Sequence, residues 1–122
     1  MGSNMGAFNL TIQIANLNGE HFEDIEVMVD TGATTTVIPR STLEELGIQP
    51  DIRRTFEYAG GERVQLDMAE ARARVDGIET NTWVIFGEEG MSPLLGAYTL
   101  EGVFLAVDPY NERLISVDGS LK

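Results

Sequence analysis

From Phe8 the apolar residues fall on every second position, at Phe8, Leu10, Ile12 and Ile14. Side chains of an extended chain alternate between two faces, so this run describes a strand with one buried face. Asn18-Gly19 follows, the dipeptide that best accepts the positive φ angles of a type I′ turn, and alternation resumes at Ile25, Val27 and Val29. The opening therefore reads as a β-hairpin whose second strand runs into Asp30.

The same punctuation continues. Strand patterns fill residues 55–86, with turn signals at Ala59-Gly60-Gly61 and Asp76-Gly77. Within them the alternation changes phase: Val64, Leu66 and Met68 share one parity, and Ala69, Ala71, Ala73 and Val75 share the other. A one-residue slip predicts a bulge or bend at which a long hairpin leaves its sheet. Two continuous apolar runs, Trp83 to Phe86 and Val103 to Val107, predict strands covered on both faces, with Trp83 in the core. Two short helices interrupt the strands. Ser41-Thr42-Leu43-Glu44 has the form of a capping box, Gly47 supplies a left-handed stop, and Leu43 and Leu46 would hold the helix by packing. The second helix fits Ala97 to Glu101, and Asp108-Pro109 turns the chain into a last strand over Leu114 to Val117. The fold class is mainly β.

A chain of 122 residues with 43% hydrophobic content suffices for one core, so residues 6–122 read as a single domain. Residues 1–5, Met1-Gly2-Ser3-Asn4 ahead of Met5, read as a cloning remnant. With 8 Lys and Arg against 20 Asp and Glu the formal charge is −12, which disfavours nucleic acid and anionic membranes as partners. No apolar stretch approaches the ~20 residues of a membrane crossing and no charged-then-apolar leader opens the chain, so the expected location is cytoplasmic. The absence of Cys and the single His21 exclude thiolate chemistry and Cys-based zinc sites, and no metal or other cofactor is expected. Any catalysis falls to carboxylates and hydroxyls. His21 and Glu88-Glu89 read as solvated turn residues.

Asp30-Thr31-Gly32-Ala33-Thr34 places a carboxylate and two hydroxyls where a one-sided strand ends. Alone it is compatible with an Asx turn, in which Asp bonds the amide two residues on. A second element, Pro93-Leu94-Leu95-Gly96, follows the Trp83 to Phe86 strand about sixty residues later and precedes a short helix. Tyr58-Ala59-Gly60-Gly61-Glu62 forms a glycine-rich hairpin tip between them.

In this order the three pieces resemble the catalytic loop, the flap and the hydrophobic-hydrophobic-Gly element of the retropepsin-like (retroviral-type) aspartic proteases, over about Phe8 to Val117. The resemblance implies a single-domain acid-protease β-barrel that works as a two-fold homodimer. Asp30, Thr31 and Gly32 would form the catalytic loop. Ala33, Thr34, Leu94, Leu95 and Gly96 would support it, and Tyr58, Ala59, Gly60, Gly61 and Glu62 would form the flap. Only one Asp-Thr-Gly occurs, so the second aspartate would be Asp30 of a second copy, with Thr31 bonding across the dimer and Thr34 holding its own subunit's Asp30. The substrate would be an extended polypeptide, with Val37, Ile38, Val64, Met68 and Ile85 as candidate pocket residues. Ala97 departs from retroviral members, which often carry Arg there in an ion-pair network, and sets this chain closer to stand-alone microbial members. Two other readings stay open: a non-catalytic peptide-binding or dimerisation module of the same fold, and a small β scaffold in which Asp30-Thr31-Gly32 is only a turn.

Overall fold

A computed structural model describes residues 8–119; the proposed remnant at 1–5 lies outside them. Among these residues the chain forms β1 (Phe8–Ala15), β2 (Glu23–Val29), β3 (Thr36–Pro39), α1 (Arg40–Glu45), β4 (Ile52–Glu57), β5 (Arg63–Val75), β6 (Ile78–Gly87), β7 (Leu94–Leu95), α2 (Ala97–Gly102), β8 (Leu105–Asp108) and β9 (Arg113–Ser116). Seven strands hydrogen-bond in the order β1-β2-β7-β3-β6-β5-β4, and β1 also pairs with β5, so the order runs back to its first strand. β8 and β9 form a separate pair. No helix among the described residues is long and apolar enough to cross a membrane.

The opening hairpin forms as expected, from Phe8 opposite Val29 to Ile14 opposite Glu23, with Ile12, Ile14, Val27 and Val29 fully buried. Its connection is longer than a two-residue turn. Gly19 alone is left-handed (φ 67°) and donates to the Asn16 carbonyl at 2.9 Å. The Asn16 and Asn18 side-chain oxygens instead accept the amides of Asn18 (3.2 Å) and Glu20 (2.9 Å), which makes a polar loop of Asx turns. The two-residue turn with both φ positive occurs at Asp76-Gly77 (53° and 81°), where Val75 faces Ile78.

β5 is 13 residues long, and its change of phase has a different origin from a bulge. Its ladders to β4 and to β6 both run without an extra residue. Leu66 and Met68 pack with Val37 and Ile85 in a small apolar cluster, whereas Ala69, Ala71, Ala73 and Val75 enter the main core with Ile12, Val84 and Phe86. The strand buries one face and then the other, because it passes between two cores.

Three further expectations are corrected. Helix α1 starts at Arg40 with Pro39 as its N-cap and no side-chain cap bond, so Ser41 lies inside the first turn and the capping box does not form. Pro39 removes an amide that would be an orphan in any case. The C-terminus follows the expectation: Gly47 (φ 77°) donates to Glu44 and Ile48 to Leu43, both at 2.9 Å, and Leu43 and Leu46 are buried. The Val103 to Val107 run is not one covered strand. Val103 caps α2, Phe104 turns left-handed (φ 58°) and stays 53% exposed, and only Leu105 of β8 is buried. Trp83 is half-buried at the margin of the small cluster.

Candidate active site

β2 delivers Asp30 at its C-terminal end, and β7 fixes it there. β7 lies between β2 and β3, parallel to β2 (Met28 opposite Leu94, Val29 opposite Leu95) and antiparallel to β3 at Val37. The amides of Met28 and Asp30 donate to the carbonyls of Pro93 (3.1 Å) and Leu95 (3.2 Å). Beyond the strands the two loops lock together, Ala97 donating to Ala33 and Tyr98 to Thr34, each at 2.9 Å. Gly96 permits this crossing: a Cβ there would stand 2.7 Å from the Thr34 carbonyl oxygen and from the Thr35 carbonyl carbon. The expected support residues Ala33, Thr34, Leu94, Leu95 and Gly96 thus meet around Asp30 across some sixty residues of sequence.

Asp30 is a half-buried residue, and its Oδ1 accepts the Gly32 amide at 2.9 Å. This is the Asx-turn bond, and Ala33 closes the turn by donating to the Asp30 carbonyl at 3.0 Å. A Cβ at position 32 would press on that oxygen at 3.1 Å, which favours glycine. Thr34 takes part through its carbonyl, and Thr31 is exposed beside Gly32. An ordinary turn requires none of the interlocking with β7.

Beneath the crossing lies a buried chain of hydroxyls. Thr99 Oγ1 is 2.7 Å from Thr36 Oγ1 and 2.8 Å from Thr82 Oγ1, and Thr36 accepts the Gly96 amide at 3.0 Å. All three threonines are at most 2% exposed. The chain joins β3, β6 and α2 to the one glycine that the crossing cannot replace.

The loop opens onto a groove of about 580 Å³, lined by Gly32, Ala33, Thr34 and Thr35 on one side and by Phe56, Glu57, Tyr58, Val64 and Leu66 of the β4–β5 hairpin on the other. Val37, Ile85, Met91 and Leu94 form its floor, so it is mainly apolar and of a size that admits side chains of a ligand. The hairpin tip is the expected glycine turn: Tyr58 donates to Glu62 (2.7 Å), Gly61 donates to Tyr58 (2.8 Å), and Gly61 has φ 93°. Of the pocket residues expected from sequence, Val37, Val64 and Ile85 line the groove. Ile38 is in the main core, and Met68 lies in the small cluster without lining the groove. Phe56 and Leu66 were legible from parity, since Phe56 faces Val64 and Leu66 shares their face. Met91 carried no signal.

Arg40 carried no sequence signal either. Its Nη2 is 2.7 Å from Asp67 Oδ2 and 2.8 Å from Glu88 Oε2, and Arg53 adds a 2.7 Å bond to Asp67 Oδ1. Glu88 is therefore an ion-pair partner and not only a solvated turn residue. Hydrogen bonds from Arg40 first, then Arg53, hold the Asp67 carboxyl below its ordinary value. His21 is an exposed turn residue, with Nε2 2.8 Å from Glu23. Among the described residues no three His, Asp or Glu converge as metal ligands.

Comparison with known proteins gives two matches that agree. The family model described as "gag-polyprotein putative aspartyl protease" matches residues 14–102. The solution structure of the protease of Simian Foamy Virus (mac) is similar in fold, with a TM-score of 0.55 and 21% sequence identity over 77% of this chain and 92% of the viral one. No curated protein matches the sequence.

Proposed function

Because the chain belongs to the retropepsin-like, retroviral-type aspartyl protease family, we propose that it is an aspartic endopeptidase assembled as a two-fold homodimer of β-barrel subunits. The observation that carries the reading is the position of Asp30: a carboxylate fixed at a strand end by β7, at the edge of an apolar groove that a glycine-tipped hairpin also lines. In the dimer the Asp30 carboxylates of two copies face each other across the axis. Like charges at hydrogen-bond distance do not both ionise, so the pair shares one proton. The ionised member takes a proton from a water, the protonated member polarises the scissile carbonyl, and the water attacks without an acyl-enzyme. Neither metal nor cofactor is needed for this chemistry.

Other residues take supporting parts. Thr31, exposed beside the axis, bonds across the interface, and Thr34 keeps its own subunit's loop in place. The β4–β5 hairpin acts as the flap, with Gly60 and Gly61 lowering the cost of opening over an extended polypeptide. Exposed apolar side chains at Tyr98 (49%), Phe104 (53%) and Val117 (41%) supply surface that a second copy would cover. A fluorogenic-peptide or casein assay of wild type against Asp30→Asn tests the reading. The amide keeps the shape but accepts no proton, so activity falls below a hundredth, and an excess of the Asp30→Asn chain poisons wild type through mixed dimers. A wild type without peptidase activity as a confirmed dimer supports the non-catalytic module instead. Retained turnover in Asp30→Asn refutes the assignment of the nucleophile-activating carboxylate.

A further inference from the structure

The β4–β5 hairpin is tied to the rest of the molecule at a definable point. The β5–β6 ladder begins at Met68 opposite Ile85, and from Asp67 outward β5 pairs only with β4. Asp67 is thus the first rung of the hairpin beyond the body, and Arg53, directly opposite it, bonds its Oδ1 at 2.7 Å. The inner face of this root packs through Leu66 and Ile52 on Val37 and Ile85. That contact is apolar and non-directional, so by itself it permits the hairpin to tilt.

The outer face is held by one guanidinium. Arg40, the first residue of α1, gives Nη2 to Asp67 Oδ2 (2.7 Å) and to Glu88 Oε2 (2.8 Å), with Nε 3.4 Å from Glu88 Oε1, and lies 4.9 Å over the ring of buried Phe86. Glu88 in turn shapes the turn that carries Met91 into the groove floor: Met91 donates to the Glu88 carbonyl at 3.0 Å, and the Glu88 amide approaches the Met91 sulfur at 3.4 Å. A planar fork that engages two carboxylates fixes direction as well as distance. Asp67 and Arg40 are largely shielded, with side chains 18% and 29% exposed, so water competes less here than at an open surface pair.

We infer that Arg40 is a positioning residue: its guanidinium clamps the hairpin root at Asp67 to the Glu88 turn that carries Met91 into the groove floor, and so sets the angle at which residues 53–66 stand over the groove. The clamp is a property of the fold, while its effect on substrate rests on the peptidase reading above. Removing it leaves the groove and Asp30 intact but lets the hairpin sample more open positions. Substrate binding then weakens while the chemical step of bound substrate is less affected.

Hydrogen exchange of the intact protein tests the clamp without reference to activity. In Arg40→Met the amides of residues 53–66 are expected to exchange about tenfold faster, while those of β1 and β2 keep their protection. Glu88→Gln, a change on a half-exposed side chain outside the hairpin, weakens the floor arm and should speed exchange in residues 53–66 by a smaller factor than Arg40→Met does. Arg40→Lys, a single point charge, should restore part of the protection. With a peptide substrate, Arg40→Met should raise KM severalfold with a smaller change in kcat. Equal acceleration throughout the chain, or none in residues 53–66, overturns the clamp. A clamp seen by exchange in a protein without peptidase activity overturns the functional reading alone. If exchange responds but KM does not, the hairpin's angle does not govern substrate binding.

Discussion

Replacing Thr99 with Val removes one oxygen from the buried hydroxyl chain and almost nothing else. Its Oγ1 bonds Thr36 and Thr82 at 2.7 and 2.8 Å, and none of the three residues is more than 2% exposed. Thr36 keeps the Gly96 amide as a donor, but Thr82 loses its side-chain partner, and no water replaces it without opening the core. Two lost hydrogen bonds at about 1 kcal/mol each, plus part of the cost of a stranded hydroxyl, offset by a better-buried methyl group, give a destabilisation of about 2–4 kcal/mol. A domain with roughly 5–15 kcal/mol of stability stays folded. An unfolding entropy of about 2 cal/mol/K per residue converts this to a fall in Tm of about 8–15 °C. Thermal unfolding followed by circular dichroism measures it, with Thr80→Val, a half-exposed hydroxyl, as a control expected to shift little. If the hydroxyls act as one chain, Thr36→Val combined with Thr99→Val costs less than the sum of the two. A fall below about 2 °C for Thr99→Val, or strict additivity, would show that the chain does not hold the crossing together.

Gly96→Ala should abolish activity and cost more than about 3 kcal/mol, because its Cβ would meet the backbone of Thr34 and Thr35 at 2.7 Å and neither loop can give way; chemical denaturation and a peptidase assay read both. The activity optimum should lie on the acid side and form a bell, because rising pH strips the shared proton of the Asp30 pair and strong acid neutralises its ionised member; initial rates from about pH 3 to 9 check this, and an optimum above about pH 8 contradicts it. The Asp67 carboxyl titrates below its unfolded value, so its contribution is complete above the unfolded value and is lost only as pH falls through the lower folded one. Hydrogen exchange in residues 53–66 should therefore keep its relative protection as pH falls to the ordinary carboxylate range and lose it only on further acidification.

What the sequence disclosed was what depends on local rules. Alternation located the strands because burial on one side has a period of two, and Gly47 marked a helix end because its φ of 77° suits glycine. The three elements around Asp30 were legible as motifs, but their interlocking was not, since the Gly96 contact with Thr34 and Thr35 depends on two loops crossing in space. The phase change in β5 was visible, yet it could equally signal a bulge until the two apolar clusters on opposite sides were known. The capping box failed because Pro39 set the helix start one residue earlier than Ser41. The apolar run at Val103 to Val107 misled because hydrophobicity does not reveal that Phe104 turns left-handed. Arg40 escaped notice because a lone Arg after Pro has no sequence signature, and its partners Asp67 and Glu88 lie far from it in the chain.

The central claim is that Asp30 works as half of a pair, and the separation of the two Asp30 carboxylates in a crystal of the dimer tests it most directly. The account predicts oxygen atoms within about 3 Å of each other across a two-fold axis, close enough to share a proton, with a water held between them and the groove. A strict monomer, or a dimer whose Asp30 carboxylates stand more than about 8 Å apart with the groove open, would contradict it, because neither carboxylate could then hold the proton that the other needs.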